Sequence, residues 1–127
     1  MITLAENNIV EKGLILNLTQ HKATPEQLEA GVVDPSNHDI LKDVLTFNQI
    51  PSKQEMQERA EWCAQCCHYH GVYTALIGGA PFFMSTLEKV LIDNEIQPVY
   101  AFSVRQSVDN PDGTKTSVFK HAGFVEV

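Results

Sequence analysis

Residues 14–27 read LILNLTQHKATPEQ, and this stretch joins a strand, a polar turn and a helix start. Its first five residues are apolar enough to form a buried strand. Thr24 and Gln27 then fit a capping box, and Pro25 stands at the first helical position. A buried strand that passes through a polar turn directly into a helix favours an α/β protein.

The same alternation of strands and helices continues to the end of the chain. After the short helix that ends at Gly31, helices are predicted at residues 36–47, at residues 51–70, and from Pro81 or Ser85 to Asn94. Further strands are predicted at residues 32–33 (brief), 72–77, 98–108 and 116–125, with a turn at residues 110–113. This order predicts a Rossmann-like α/β fold, with a mainly parallel sheet flanked by helices and ending in an antiparallel β-hairpin.

Length and charge limit the classes of function. At 127 residues the chain has the length of one domain, and we interpret residues 1–12 as a tail or an edge strand and residues 13–127 as that domain. The formal charge of −7 argues against a protein that binds duplex nucleic acid, which requires many Lys and Arg contacts to phosphate. The charge is uneven, because residues 1–96 hold six Lys and Arg against thirteen Asp and Glu, while residues 97–127 hold three of each. An anion is therefore repelled least by the C-terminal quarter.

The sequence also indicates a compartment. No run approaches the ~18 apolar residues of a membrane span, and no basic region followed by an apolar stretch opens the chain. Three crowded cysteines, Cys63, Cys66 and Cys67, are a poor disulfide framework and fit a reducing compartment. We expect a cytoplasmic protein with no membrane partner.

Polar clusters follow three of the predicted strands at their carboxyl ends. They are Asn17 to His21, Gly78 to Pro81, and Ser103 to Ser107. In an open α/β sheet, ligands bind in the crevice outside the carboxyl ends of the strands. We therefore predict that donors from separate segments converge on one bound molecule.

Each of these clusters has a structural alternative. Gly78 and Gly79 allow a phosphate to approach the backbone ahead of a helix, but glycine pairs also serve sharp turns. Asn17, Thr19, Gln20 and His21 suit a base edge, a ribose hydroxyl or a phosphate, and histidine can change charge near neutral pH. The same side chains can instead satisfy the amides of their own turn.

Arg105 presents a planar fork of donors suited to phosphate, and Ser103 and Ser107 flank it. Lys120 and His121 lie on the partner strand of the predicted hairpin, where we expect them to pair near Arg105 and form a small cationic patch. The alternative is an exposed arginine in a hairpin.

The run from Cys63 to His70 resembles a zinc motif but lies within the best-predicted helix. Cys63 and His70 would stand about 10 Å apart along its axis, which is too far to share one ion. Buried packing cysteines are favoured, and we expect neither a metal nor a cofactor. Cys63 and Cys66 also lack the preceding strand of a thioredoxin-type redox motif.

The strand-end clusters resemble a known family. The stretch from Leu16 to Gln27, the glycine turn, residues 98–105 and residues 117–121 are together similar to the small stand-alone proteins of the CRISPR-associated Rossmann-fold (CARF) superfamily, of which several are ring nucleases. The resemblance spreads over most of residues 13–125. One departure is the turn from Gly78 to Pro81, which is less polar than in those proteins.

The resemblance implies a homodimer that binds cyclic oligoadenylate, an antiviral second messenger, across its two-fold axis. Ring nucleases open the ring without metal, by attack of a ribose 2′-hydroxyl that leaves a 2′,3′-cyclic phosphate. The implied ligand contacts are Asn17, Thr19, Gln20, His21, Gly78, Gly79, Ser103 and Arg105.

Catalytic roles follow from the same resemblance. Arg105 or Lys120 would stabilise charge on the phosphate, and His21 or His121 would act as general base or acid. The prediction leans towards an enzyme. A non-catalytic sensor or sponge of the same fold, and an interaction domain whose polar turns only cap helices, remain the alternatives.

Overall fold

The structure is a computed structural model, and it describes residues 13–127. Within these residues the chain forms five strands and four helices. The strands are β1 (Ile15–Leu18), β2 (Val32–Val33), β3 (Thr74–Ile77), β4 (Gln97–Asp109) and β5 (Lys115–Glu126). The helices are α1 (Pro25–Glu29), α2 (His38–Val44), α3 (Lys53–His70) and α4 (Pro81–Asp93). The predicted tail or edge strand at residues 1–12 lies outside the described residues.

The five strands form one sheet in the order β2-β1-β3-β4-β5. The first four are parallel, and β5 runs antiparallel to β4. After β1 the chain passes through α1 to β2, which lies next to β1 on one side within the sheet. It then passes through α2 and α3 to β3, which lies next to β1 on the other side. The predicted Rossmann-like fold with a C-terminal antiparallel hairpin is confirmed, and the connections reverse direction between β1 and β3.

The main core lies between the sheet and the pair α3 and α4. It joins sheet residues such as Leu16 and Ile77 to buried helix residues such as Cys63, Leu87 and Leu91. A second, smaller cluster of Val32, Leu76 and Val99 lies apart from it, with Ile15, Ala23 and Phe124 packed against it. Side chains alternate between the two sides of a strand, so β3 contributes Ala75 and Ile77 to the first cluster and Leu76 to the second.

Helix ends follow the sequence signals with one difference. Thr24 and Gln27 form both hydrogen bonds of the predicted capping box of α1. At α3 only half of a capping box forms, since Ser52 accepts from the Glu55 amide while the Glu55 carboxylate accepts from Arg59 at 2.7 Å. An arginine one turn along offers a carboxylate a charged donor, which is a stronger partner than a backbone amide.

The cysteines of α3 are buried and unpaired, as the packing interpretation predicts. Burial raises the pKa of the Cys63 thiol to about 12 and also raises that of Cys66. Thiols with raised pKa values are poor nucleophiles near neutral pH. Among residues 13–127, no three His, Cys, Asp or Glu side chains are grouped closely enough to hold a metal ion.

Beyond the sheet, β4 and β5 continue as a two-stranded ribbon. β4 pairs with β3 only through Gln97, Pro98 and Val99, whereas its pairing with β5 runs on to Asp109. We call residues 100–125 the arm. Ten residues of β4 lie past Val99, so the arm extends roughly 33 Å from the sheet at ~3.3 Å per residue. In the described part of the chain, no helix combines the length and the apolar character needed to cross a bilayer.

Candidate functional site

A cleft of about 620 Å³ opens at the carboxyl ends of β1 and β3. This volume lies within the range of small-molecule sites. It sits where the direction of the chain connections reverses, which is where doubly wound α/β proteins bind ligands. The residues that line it are Thr19, Gln20, His21, Lys22, Thr24, Gln27, Leu76, Ile77, Gly78, Gly79, Tyr100 and Ala101.

Asn17 fixes the turn that forms one wall of the cleft. It is fully buried, and its amide nitrogen donates to the His21 carbonyl at 2.7 Å and to Asp34 Oδ1 at 2.8 Å. Its side-chain oxygen accepts from the Thr19 amide and lies 2.7 Å from the Thr19 hydroxyl. Because these bonds use all the hydrogen-bonding capacity of its side chain, Asn17 shapes the turn and does not line the cleft.

Two further residues hold the same turn from behind. Asp34, just past the carboxyl end of β2, also accepts from the Ala23 amide at 3.0 Å. His38, buried at the start of α2, donates from Nε2 to the Thr19 carbonyl at 3.2 Å. The turn is therefore tied to β2 and α2 as well as to β1.

Gln20 joins the cleft to the segment between α2 and α3. Its side-chain nitrogen lies 3.0 Å from the Thr46 hydroxyl and 3.4 Å from the Leu45 carbonyl. Its amide oxygen has no hydrogen bond from the described residues, so it is the part of this side chain able to accept from a ligand.

Gly78 and Gly79 form the opposite wall, ahead of α4. Gly79 has φ +143°, a conformation that side chains rarely adopt, so the turn itself requires glycine there. A Cβ on Gly78 would lie 3.8 Å from the Thr19 methyl group, an ordinary contact. Gly78 therefore faces Thr19 in the opposite wall, and the protein itself has room for a methyl group at this position.

Exposed basic groups stand at the rim of the cleft. His21 and Lys22 are both exposed, and neither side chain hydrogen-bonds to the described residues. Thr24 and Gln27 also line the cleft, but their side chains are engaged in the α1 capping box. His21 and Lys22 are thus the ionisable groups best placed to meet an anion in the cleft.

Tyr100 closes the side next to β4. Its hydroxyl donates to Glu88 on α4 at 2.6 Å. Burial, together with the Glu88 carboxylate, raises the pKa of Tyr100 to about 12, so the phenol stays protonated at neutral pH. Tyr100 is therefore a structural member of the wall and not a candidate base.

The predicted site residues on β4 lie beyond the cleft. Ala101 lines it, and Ser103, Arg105 and Ser107 follow on the same side of the strand at about 7, 13 and 20 Å from Ala101. His121 pairs with Ser103 across the arm. The structure thus brings Thr19, Gln20, His21, Gly78 and Gly79 together in one cleft, and it places Ser103, Arg105, Ser107 and His121 on the arm outside that cleft.

The predicted pairing of Lys120 and His121 near Arg105 is found, but Lys120 faces the other side of the arm. Lys120 pairs with Val104, and residues opposite each other in an antiparallel pair share a side of the sheet. Arg105 pairs with Phe119 and lies 5.2 Å from the centre of its ring, on the other side of the arm from Lys120. Arg105 and His121 therefore share a face that Lys120 does not.

Sequence reasoning missed Lys22, Asp34 and His38. Asp34 follows the two-residue strand β2, so the rule that selected the other strand-end residues also applied to it. Lys22 lies in the turn that was selected, one residue beyond its chosen end. No feature of the sequence singled out His38, because its role depends on how α2 packs against the turn.

The fold and the cleft together define a class, a Rossmann-like α/β domain with a cleft at its topological switch point. The chain belongs to the uncharacterized protein MJ1673 family, whose family model matches residues 13–125. Comparison with curated proteins gave no match, and neither did comparison with solved structures. The activity must therefore be argued from the cleft.

Proposed function

We propose that the protein binds cyclic oligoadenylate at the cleft and cleaves it as a metal-independent ring nuclease. The observation that supports binding is the convergence of two polar turns, residues 19–22 and 78–79, on one cleft at the switch point of the sheet. The class of ligand comes from the CARF resemblance. A homodimer and a cytoplasmic, antiviral setting belong to the same proposal.

The chemistry requires little of the protein. In ring opening, the ribose 2′-oxygen forms a bond to the adjacent phosphorus, the bond to the 5′-oxygen breaks, and the 2′-proton passes through a base or solvent to the leaving oxygen. The nucleophile is already tethered, so an in-line geometry and stabilisation of the phosphate are the main needs.

The residues of one chain are unequally placed for these tasks. His21 is the proposed base or acid at the rim, and Lys22 beside it adds a charge for the phosphate. Arg105 and His121 would meet only a ligand that extends out of the cleft along the arm. A cyclic oligonucleotide, which is larger than a mononucleotide, fits that requirement.

One observation favours the alternative of a sensor or sponge that binds without cleaving. Of the four proposed catalytic residues, only His21 lines the cleft. Binding would then depend on the two turns, and the chain would hold the ligand intact.

A single assay separates these functions. The protein is incubated with radiolabelled cyclic tri-, tetra- and hexa-adenylate in the presence of EDTA, and products and bound ligand are resolved. Linear fragments ending in a 2′,3′-cyclic phosphate support the ring nuclease. Intact retained ligand supports the sensor, and no retention of any ring rejects both.

Paired variants connect the result to the cleft. His21→Ala should abolish cleavage but weaken retention only modestly, and Lys22→Ala should weaken retention. His68→Ala and Lys89→Ala remove the same side chains from α3 and α4 outside the cleft lining and should change neither. Equal losses in a cleft variant and its control would contradict the proposed site.

A further inference from the structure

The arm has one mainly apolar face and one face that is mainly polar apart from Phe119 and Phe124. Alternation along β4 puts Phe102, Val104 and Val108 on one side and Ser103, Arg105, Ser107 and Asp109 on the other. On β5, Val118 pairs with Gln106 and so joins the apolar side, where Lys120 is the charged member. Phe102, Val104, Val108 and Val118 are between 38% and 51% exposed.

The apolar face continues the side of the sheet that the helices cover. Tyr100 lies on that side and reaches Glu88 of α4, whereas residues 101–109 and 111–120 are exposed throughout. The helices therefore stop before the arm does. A two-stranded ribbon is marginally stable in water by itself, and an apolar face of this kind is typical of an interaction surface.

Charge indicates what covers this face. Two copies of a chain with a formal charge of −7 repel each other most where that charge is concentrated, in residues 1–96. Residues 97–127, which contain the arm, hold equal numbers of basic and acidic residues. The arm is therefore the part of the chain at which a second copy is repelled least, and three basic residues are too few for a nucleic-acid arm.

We propose that the apolar face of the arm packs against the same face of a second copy, in a two-fold symmetric contact. A symmetric contact needs a surface that is complementary to itself, and this face carries Phe102, Val104, Val108 and Val118 together with Gln106, Thr116 and one charged residue, Lys120. The polar faces, with Arg105 and His121, then point away from the contact. The contact would supply the homodimer of the proposed function, and because it uses neither the cleft nor any ligand, its failure would leave nucleotide binding at the cleft of one chain intact.

The size of the arm limits the expected affinity of the dimer. A ribbon roughly 33 Å long and two strands wide offers a contact at the small end of specific protein interfaces. We therefore expect a dimer that dissociates on dilution, without nucleotide present.

The test is sedimentation velocity over a wide range of protein concentration, comparing two substitutions of the same kind. Phe102→Ser removes an aromatic ring from the apolar face, and Phe119→Ser removes one from the polar face, where it is 69% exposed. We expect Phe102→Ser to weaken the dimer by roughly tenfold or more, as for residues central to an interface. Phe119→Ser should leave it unchanged.

Val104→Lys is a second variant in case Phe102→Ser fails to fold, with circular dichroism as the check on each. It places a charge in the contact and should give a monomer. A wild-type chain that stays monomeric at every concentration overturns the proposal. So does a dimer that withstands both Phe102→Ser and Val104→Lys, or one that Phe119→Ser weakens equally.

Discussion

Asn17 lies fully buried at the end of β1 and makes four hydrogen bonds, all to residues of its own chain. An amide that donates twice and accepts twice can hold a turn without leaving an unsatisfied group. No apolar residue of similar volume can do the same, and a charged one would need a counter-charge. Asn17 therefore contributes to the site indirectly, by holding the main chain at His21 in position.

We expect Asn17→Ala to lower the free energy of unfolding by roughly 3 kcal/mol, because it removes a fully buried side chain and leaves its partly buried partners without their hydrogen bonds. Asn110, whose solvent-exposed hydrogen bonds to Thr114 and Thr116 lie at the tip of the arm, provides the control. Asn110→Ala should cost less than about 1 kcal/mol, because water can replace those bonds. Urea unfolding measures both, and equal losses would contradict the role given to Asn17.

The two glycines of the cleft should respond differently to alanine. Gly79→Ala should destabilise the fold by about 1 kcal/mol or more, since φ is +143° there. Gly78→Ala should fold normally, because its new methyl group meets only the Thr19 methyl at 3.8 Å. If a ligand approaches the Gly78 backbone, that variant loses retention while keeping its stability. Unchanged retention of cyclic oligoadenylate would show that the ligand does not contact this turn.

Helix α3 was the element best predicted from sequence, and the reasons are local. Its Ser52 cap, its Gly71 end in the left-handed conformation and its cysteine seam all lie within one segment. The sequence pattern of β4 did not predict that only three of its residues pair with β3. That number depends on the length of β3, which is a separate segment of the chain.

The part of the site that was predicted correctly also follows from a local rule. Strand-end residues of β1 and β3 meet in the cleft because parallel neighbours end at one edge, a rule that sequence can apply. Arg105 was expected beside them, but five residues of β4 lie between it and Val99, the last residue of β4 that pairs with β3. His38 acts through the packing of α2 against the turn, which no local pattern reports, whereas Asp34 is a strand-end residue that the same rule could have selected.

Buried thiols on α3 should make stability depend on alkaline pH. Burial raises the pKa of Cys63 from 9.0 to about 12, so the folded state keeps its proton where the unfolded chain loses it. Stability is therefore full below pH 9 and falls as pH rises from 9 towards 12, by up to ~1.4 kcal/mol per pH unit for one thiol. Urea unfolding at pH 8 and pH 10.5 measures the fall.

Cys63→Ala isolates this contribution. The variant is less stable at pH 8, but it should lose less further stability on going to pH 10.5 than the wild type does. Cys67, whose pKa burial also raises, keeps part of the dependence. An identical pH dependence in wild type and variant would assign the effect to other groups.

For the protein as a unit, ligand binding should appear as added stability. A ligand at one hundred times its Kd adds about 2.7 kcal/mol, which raises Tm by several degrees for a domain of this size. Thermal unfolding with cyclic tri-, tetra- and hexa-adenylate should show that rise for at least one ring. Duplex DNA at the same phosphate concentration should give none, because the chain carries a formal charge of −7. A shift with DNA but with no ring would contradict the proposed ligand class.

The order of the strands in the sheet has a consequence for the time at which the cleft is assembled. β1 and β3 are neighbours in space, although α1, β2, α2 and α3 separate them along the chain. Their pairing closes a long loop, a step that contributes to slow folding. During synthesis the first wall emerges from the ribosome well before the second, so a nascent chain that ends before Gly79 has no cleft to offer a ligand.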